Sequence, residues 1–296
     1  MCFLSVVLGT RHRYDHTMFM RVYASFVTIL PRLSLYALIA LGMIPNCPTA
    51  LASTDLPHAN VRLINGGLIG KSTYAGVEIT MDPHVKTYWR MPGDSGLPPV
   101  FDWSTSDNLA EAQVKWPLPE RIADPSGTIF GYHDQVIFPV LITAKDPSKP
   151  VRLGLKLDFA ICGELCVPMG DKASLWLNPE TENTSDRERL ETFLNRVPAP
   201  SIIGQSDRPS LVSIESKAPD TLLIAANRPL SDIIVEGPNG WYFGDATAQS
   251  AMLWNVKLLE KPTKATLAGL SLTVTLVAEG QATETSVSLD ETGSIR

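Results

Sequence analysis

Two cysteines, Cys162 and Cys166, lie four positions apart in "DFAICGELCVPMG", residues 158–170. The chain has 296 residues and only two other cysteines, Cys2 and Cys47, both near its start. Three chemistries suit such a pair: a structural staple, a soft-metal site, or reversible thiol–disulfide exchange. A staple gains by closing a long loop, and a five-residue loop is worth only about 2 kcal/mol by chain entropy. A metal asks for further ligands. Met169 is close in sequence and would suit Cu(I) beside two thiolates. His58, His84 and His133 show no ligand spacing, and zinc usually takes four ligands. Exchange requires a pair that closes locally and passes through a mixed disulfide with a partner thiolate. Fully extended, four residue steps cover about 13 Å, against a Cα separation of about 4.4–6.8 Å in a disulfide. The "CGELC" segment must therefore bend, and Gly163 eases bending.

The charges around the pair are acidic. Glu164 lies inside the loop and Asp158 precedes it, with no Lys or Arg between Asp158 and Gly170. Negative charge disfavours a thiolate, so the expected resting form is a disulfide that is attacked, not a thiolate that attacks. His133 is the nearest histidine upstream and a candidate for assisting proton transfer. Trp89, Arg90 and Asp94 read as a loop that either lines a partner surface or serves structure, Trp89 in a core and Asp94 in a turn.

The elements that must position these residues read as strands. "AGVEITM" (75–81), "QVIFPVLITA" (135–144), "VRLGLKLDFA" (151–160) and "ASLWLNP" (173–179) are apolar or alternate with period two. Val151, Leu153, Leu155 and Leu157 fall on one face of the third. Between them lie the turn clusters "MPGDSGLPP", "ADPSG" and "KDPSKP". One helix interrupts, in "SDRERLETFLNRVPAP". Ser185 and Glu188 have capping-box spacing, Leu190, Phe193, Leu194 and Val197 form a stripe, and Pro198 stops it. The stripe reads as ordinary packing and the segment as a connector. From about 208, six or seven short runs from "LVSIES" to "LSLTVTLVAE" indicate a second small β-sandwich with no cysteine or histidine.

The first 52 residues differ from the rest. Arg11, Arg13, Arg21 and Arg32, the apolar "LSLYALIALGM" (33–43) and the "ALA" at 50–52 describe a secretory signal peptide cleaved before Ser53. The apolar core is short for a spanning helix, which needs about 20 residues. Export would leave Cys162 and Cys166 as the only thiols, in a compartment that permits disulfides. The remaining 244 residues carry 21 of the 25 basic and 30 of the 31 acidic residues. An acidic balance of this kind argues against nucleic acid as a partner.

"FGYHDQVIFPV" followed by "LGLKLDFAICGELCVP" resembles the amino-terminal periplasmic domain of the disulfide reductase DsbD. It is closer to the exported amino-terminal part of the ScsB copper-sensitivity suppressor group. Phe138, Pro139, Val140, Cys162, Cys166, Val167 and Pro168 carry the pattern, and "KTYWRMPGDSGLPP" (86–99) adds to the ScsB-like likeness. The resemblance covers residues 60–180; beyond 208 it rests on a two-domain architecture alone. It implies an immunoglobulin-like domain whose cysteine pair takes electrons from a membrane-embedded thiol donor and passes them to thioredoxin-like exported proteins, in settings such as copper tolerance and cytochrome c biogenesis. There are departures. Three residues separate the cysteines where the DsbD domain has five. The stretch matching its aromatic cap loop is "ADPSG" (123–127), which offers Asp124 but no aromatic, so shielding of the pair is open.

The reading as a whole is all-β: two immunoglobulin-like β-sandwich domains joined by a short helical linker. Its parts are a signal peptide (1–52), the cysteine-bearing domain (53–182), the linker (183–207) and a second sandwich (208–296). Cys162 and Cys166 are the catalytic candidates, with Asp124, Glu164 and His133 in support. No cofactor is expected. The alternative is a periplasmic binding module, copper-related, in which the pair is a staple or a Cu(I) ligand set.

Overall fold

The computed structural model describes residues 56–124, 127–177 and 184–295, all within one compact unit, Asp55–Arg296. The expected signal peptide lies outside the described residues. Among those described, no helix is long and apolar enough to cross a membrane.

Ten strands precede the helix: β1 (Ala59–Ile69), β2 (Ser72–Met81), β3 (Lys86–Gly93), β4 (Val100–Asp102), β5 (Leu109–Val114), β6 (Glu120–Asp124), β7 (Gly127–His133), β8 (Gln135–Ala144), β9 (Val151–Cys162) and β10 (Cys166–Leu177). They form a four-stranded sheet, β1-β2-β8-β5, and a six-stranded sheet, β10-β9-β3-β7-β6 with β4 also on β9. The alternation in β9 decides its faces. Val151, Leu153, Leu155, Leu157, Phe159 and Ile161 are buried in the main core, while Lys156 and Asp158 face out. Cys162 is even-numbered and so shares the outward face.

Helix α1 (Thr184–Leu194) does more than connect. Leu190 is fully buried against Ile64 and Ile137, and Phe193 packs beside it, so the apolar stripe is used for packing as expected. Gly76 lets the helix sit this close, since a Cβ there would lie 2.5 Å from Leu190 Cδ1. Arg189 of the helix and Arg62 of β1 both pair with the buried Glu78 on β2, and Arg62 also reaches Asp186 at 2.8 Å. Ser185 lies within the helix and not ahead of it, so the capping-box register read from spacing is displaced.

Eight strands follow: β11 (Ala199–Pro200), β12 (Leu211–Ala218), β13 (Thr221–Ala226), β14 (Asp232–Glu236), β15 (Tyr242–Ser250), β16 (Leu253–Glu260), β17 (Ser271–Ala278) and β18 (Gln281–Ser288). They make two four-stranded sheets, β11-β18-β17-β14 and β12-β13-β16-β15, over a hydrophobic cluster of their own. β11 pairs with β18, so the tail of the segment read as linker belongs with these sheets.

The two halves meet through charges. Arg90 of β3 donates to Glu236 at 2.9 Å and to Glu284. Arg121 of β6 pairs with Asp232 at 2.9 Å and with Asp245, and Tyr242 donates to Asp94 at 2.6 Å. Ile234 of β14 joins the main core of the first half. The stretch read as a loop is strand β3 through Gly93: Trp89 is a core residue, fully buried, while Arg90 and Asp94 face the second half and not an outside partner.

Candidate functional site

β9 ends at Cys162 and β10 begins at Cys166, and the two are directly opposed in the antiparallel register. Their Cα atoms are 4.0 Å apart and their sulfurs are joined as a disulfide. Gly163, Glu164 and Leu165 form the hairpin tip, closed by Gly163 N–H on Leu165 C=O at 3.1 Å. The required bend is thus a tight hairpin. Gly163 has no positive φ, so the turn does not depend on backbone angles peculiar to glycine. The two cysteines differ in access: Cys162 is 5% exposed, whereas Cys166 is exposed, flanked by Leu165 at 54%.

β3 completes the site. Lys86 is opposite Cys162 on one side and opposite His133 of β7 on the other. Directly opposed residues point to the same face, so the disulfide, Lys86 and His133 share the outer face of the six-stranded sheet. Lys86 is only 8% exposed, and its Nζ lies 2.5 Å from Asp124 Oδ2 at the end of β6. Tyr88, two residues on, brings its hydroxyl to 3.7 Å from Cys166 Sγ. Burial pushes the Tyr88 hydroxyl pKa up, and nearby Asp124 adds to the rise. Cys162 itself packs with Tyr88, Ile122, Ile129 and Ala160 in a small apolar cluster separate from the main core.

These contacts answer the question of shielding. Without an aromatic, the β6–β7 hairpin contributes Ile122 and Ile129 to the apolar cluster that holds Cys162, and Asp124 at its end pairs with Lys86. Pro125 and Ser126 lie outside the described residues. Cys166 stays open.

The supporting residues separate. Asp124 reaches the site through Lys86. Glu164 is exposed in the hairpin tip. His133 Nδ1 is 3.1 Å from Glu120 Oε2, and it lies two strands from Cys162, about 10 Å at the usual strand spacing. The purely acidic surroundings read from local sequence are corrected by the sheet: Asp158 pairs with Lys156 at 3.0 Å, and Lys86 enters from a strand some 75 residues away. Met169 packs on the main core, on the opposite face of β10 from Cys166, which removes it as a co-ligand with the two sulfurs. Among the described residues no group of three or more His, Cys, Asp or Glu is arranged to hold a metal ion. Sequence reasoning missed Lys86 and Tyr88. The available signal was a lysine and a tyrosine at alternate positions of the apolar, aromatic "VKTYW" (85–89).

Comparison with known proteins agrees with the resemblance read from sequence. Residues 67–177 match the family described as thiol:disulfide interchange protein DsbD, N-terminal. That span holds both cysteines, Lys86, Tyr88, Asp124 and His133. Among solved structures, the N-terminal periplasmic domain of ScsB from Proteus mirabilis is similar at 19% identity, with a TM-score of 0.60 over 79% of this chain and 93% of that chain. At this identity the likeness shows a shared fold. Its extent exceeds what residues up to 207 can supply, so it includes part of the second half. No curated protein matches.

Proposed function

We propose that this chain is a periplasmic thiol–disulfide exchange module, reached by export with cleavage near Ser53. Its Cys162–Cys166 pair accepts electrons from a membrane-embedded thiol donor and hands them to thioredoxin-like exported proteins. In this reading residues 53–182, with the helix packed on them, are an immunoglobulin-like exchange domain, and residues from about 198 to 296 a second sandwich.

The observation that carries the reading is the asymmetry of the pair. A disulfide at a hairpin end presents Cys166 to solvent and keeps Cys162 in an apolar cluster. In the forward step a donor thiolate forms a bond to Cys166 Sγ. The Cys162–Cys166 bond breaks and its electron pair goes to Cys162 Sγ. A second donor thiolate then attacks the donor sulfur of the mixed disulfide, and the donor–Cys166 bond breaks with its own electron pair going to Cys166 Sγ. The donor ends as a disulfide; Cys162 and Cys166 end reduced by two electrons and take up two protons. Reduction of an exported protein is the reverse sequence, begun by Cys166. A staple reading is weaker, because opposed residues of a twelve-rung hairpin need little further constraint.

The test uses single variants in periplasmic material, quenched with acid and alkylated. Cys162→Ser should accumulate reducible adducts through Cys166, since the resolving thiol is gone. Cys166→Ser should accumulate far fewer. Absence of adducts with both variants, together with unfolding of the double variant, would return the pair to a structural role.

A further inference from the structure

Lys86 is unusual in this protein. Among the described residues, Glu78 and Lys86 are the only charged side chains that are buried. Glu78 is accounted for by the arginines that fasten helix α1. Lys86 has one carboxylate, Asp124, and otherwise faces the disulfide rung and its apolar cover. Burying an ion pair is costly, and an apolar pair of like size would hold a hairpin at least as well. Ile122 and Ile129 already pack the hairpin down. The charge itself therefore calls for a purpose.

We infer that Lys86 is a positioning residue for the exchange proposed above: its ammonium, held by Asp124, stabilises the thiolate that forms on Cys162 when a partner thiolate attacks Cys166. The inference rests on that exchange reading. The apolar cluster around Cys162 opposes charge on its sulfur, and a cation on the adjacent strand offsets this. The other groups on this face do not supply one. Tyr88 is neutral and lies against Cys166, and Cys166 itself is taken up in the mixed disulfide. Asp158 carries its own lysine, Lys156, and Glu164 is exposed at the tip. His133 and Glu120 pair with each other one strand beyond Lys86. Asp124 sets how much of the Lys86 charge the sulfur feels. The two residues thus have opposite effects on one thiol, whereas two halves of a mere clasp would have the same effect.

The experiment follows the Cys162 thiolate by its ultraviolet absorbance against pH, in reduced protein of residues 53–296 carrying Cys166→Ser, which lacks Cys2 and Cys47, so that a single thiol reports. Lys86→Met should lower the thiolate fraction at a given pH about tenfold, Asp124→Asn should raise it, and Lys86→Arg should keep the wild-type curve. With both cysteines present, reduction of the disulfide by dithiothreitol should slow with Lys86→Met, by less than tenfold, because a leaving thiol of higher pKa departs more slowly but expresses only part of its pKa change in the rate. Dithiothreitol needs no biological partner, so this arm stands even where no adduct is trapped in cells. Adducts without the thiolate shifts would sink the Lys86 role and leave the exchange reading intact. Shifts without adducts would support the coupling of Lys86 to Cys162, and, if the double cysteine variant also unfolds, would overturn the exchange reading. Movement of Lys86→Met and Asp124→Asn in the same direction, or no movement, overturns the inference. Should Lys86→Met fail to fold, Lys86→Gln takes its place: a clasp that opens admits water to Cys162 and predicts a higher thiolate fraction with the lysine replaced, whereas the inference predicts a lower one.

Discussion

Cys162 is buried and Cys166 is exposed, although they face each other across the last rung of one hairpin. The difference arises from what lies beside each. β9 is an inner strand, flanked by β3, and its Cys162 lies in an apolar cluster with Tyr88, Ile122 and Ile129, whereas β10 is the edge of its sheet. One sulfur is thus placed for attack and the other for departure.

The first prediction concerns the double variant Cys162→Ser, Cys166→Ser. The five-residue loop limits the entropic loss to about 2 kcal/mol, and the β9–β10 ladder survives. Urea unfolding should remain cooperative, with the midpoint lowered by no more than that loss allows, while all exchange disappears. Collapse of the cooperative transition would show that the pair is a scaffold.

The fold was legible where one strand carries its own signal. The stretches 135–144 and 151–160 fall in β8 and β9 because their inward residues alternate, and seven strands follow residue 208 as their spacing indicates. β1 and β3 to β7 have no counterpart among the stretches that read as strands: β3 runs into the turn cluster at 91–99, β4 is three residues long, β5 is polar and half-exposed, β6 runs into the turn cluster at 123–127, and β7 is split by Gly131. The candidate site was half legible. The cysteines announce themselves by type and spacing. Lys86 and Tyr88 become neighbours of the pair only through sheet register, which brings β3 beside β9. Short-range charge counting around residues 158–170 missed Lys86 for that reason.

The second prediction concerns the second half as an independent sandwich. It has its own core, and β11 pairs with β18, so a fragment should begin near Pro198 and not at 208. Residues 198–296 should unfold cooperatively but less stably than the whole chain, since Ile234 loses its apolar cover and Glu236 loses Arg90. Burial lifts the Glu236 carboxyl pKa despite Arg90, which marks how costly its charge is there. Lack of a cooperative transition would show that the two halves fold only together.

A third prediction tests the helix seat. Gly76→Ala places a methyl group against Leu190, Ile64 and Ile137 together, each within 3 Å of the new carbon. Overpacking of this kind costs about 1–3 kcal/mol. The thermal midpoint should fall, and Gly76→Ala combined with Leu190→Ala should cost less than the sum of the two. Strict additivity would show that the helix does not bear on Gly76.

The fourth prediction is a loss of stability at alkaline pH. Burial raises the hydroxyl pKa of Tyr88, Tyr132 and Tyr242 above the ordinary tyrosine range. Asp124 adds to the rise at Tyr88, and the bond donated to Asp94 adds to it at Tyr242. A raised pKa means that the unfolded chain gives up these protons first. The stabilisation is therefore complete below the unfolded value of about 10, and is lost as pH rises from there through the folded values. Urea midpoints should be level between about pH 8 and pH 9 and fall above about pH 10. Tyr132 should contribute most, as its hydroxyl is buried and donates to Pro117 C=O at 2.7 Å. Tyr132→Phe should lower stability by about 1 kcal/mol at neutral pH, because that carbonyl loses its donor, yet flatten the alkaline fall. An alkaline fall as steep in Tyr132→Phe and Tyr242→Phe as in the wild type would assign the loss to other groups.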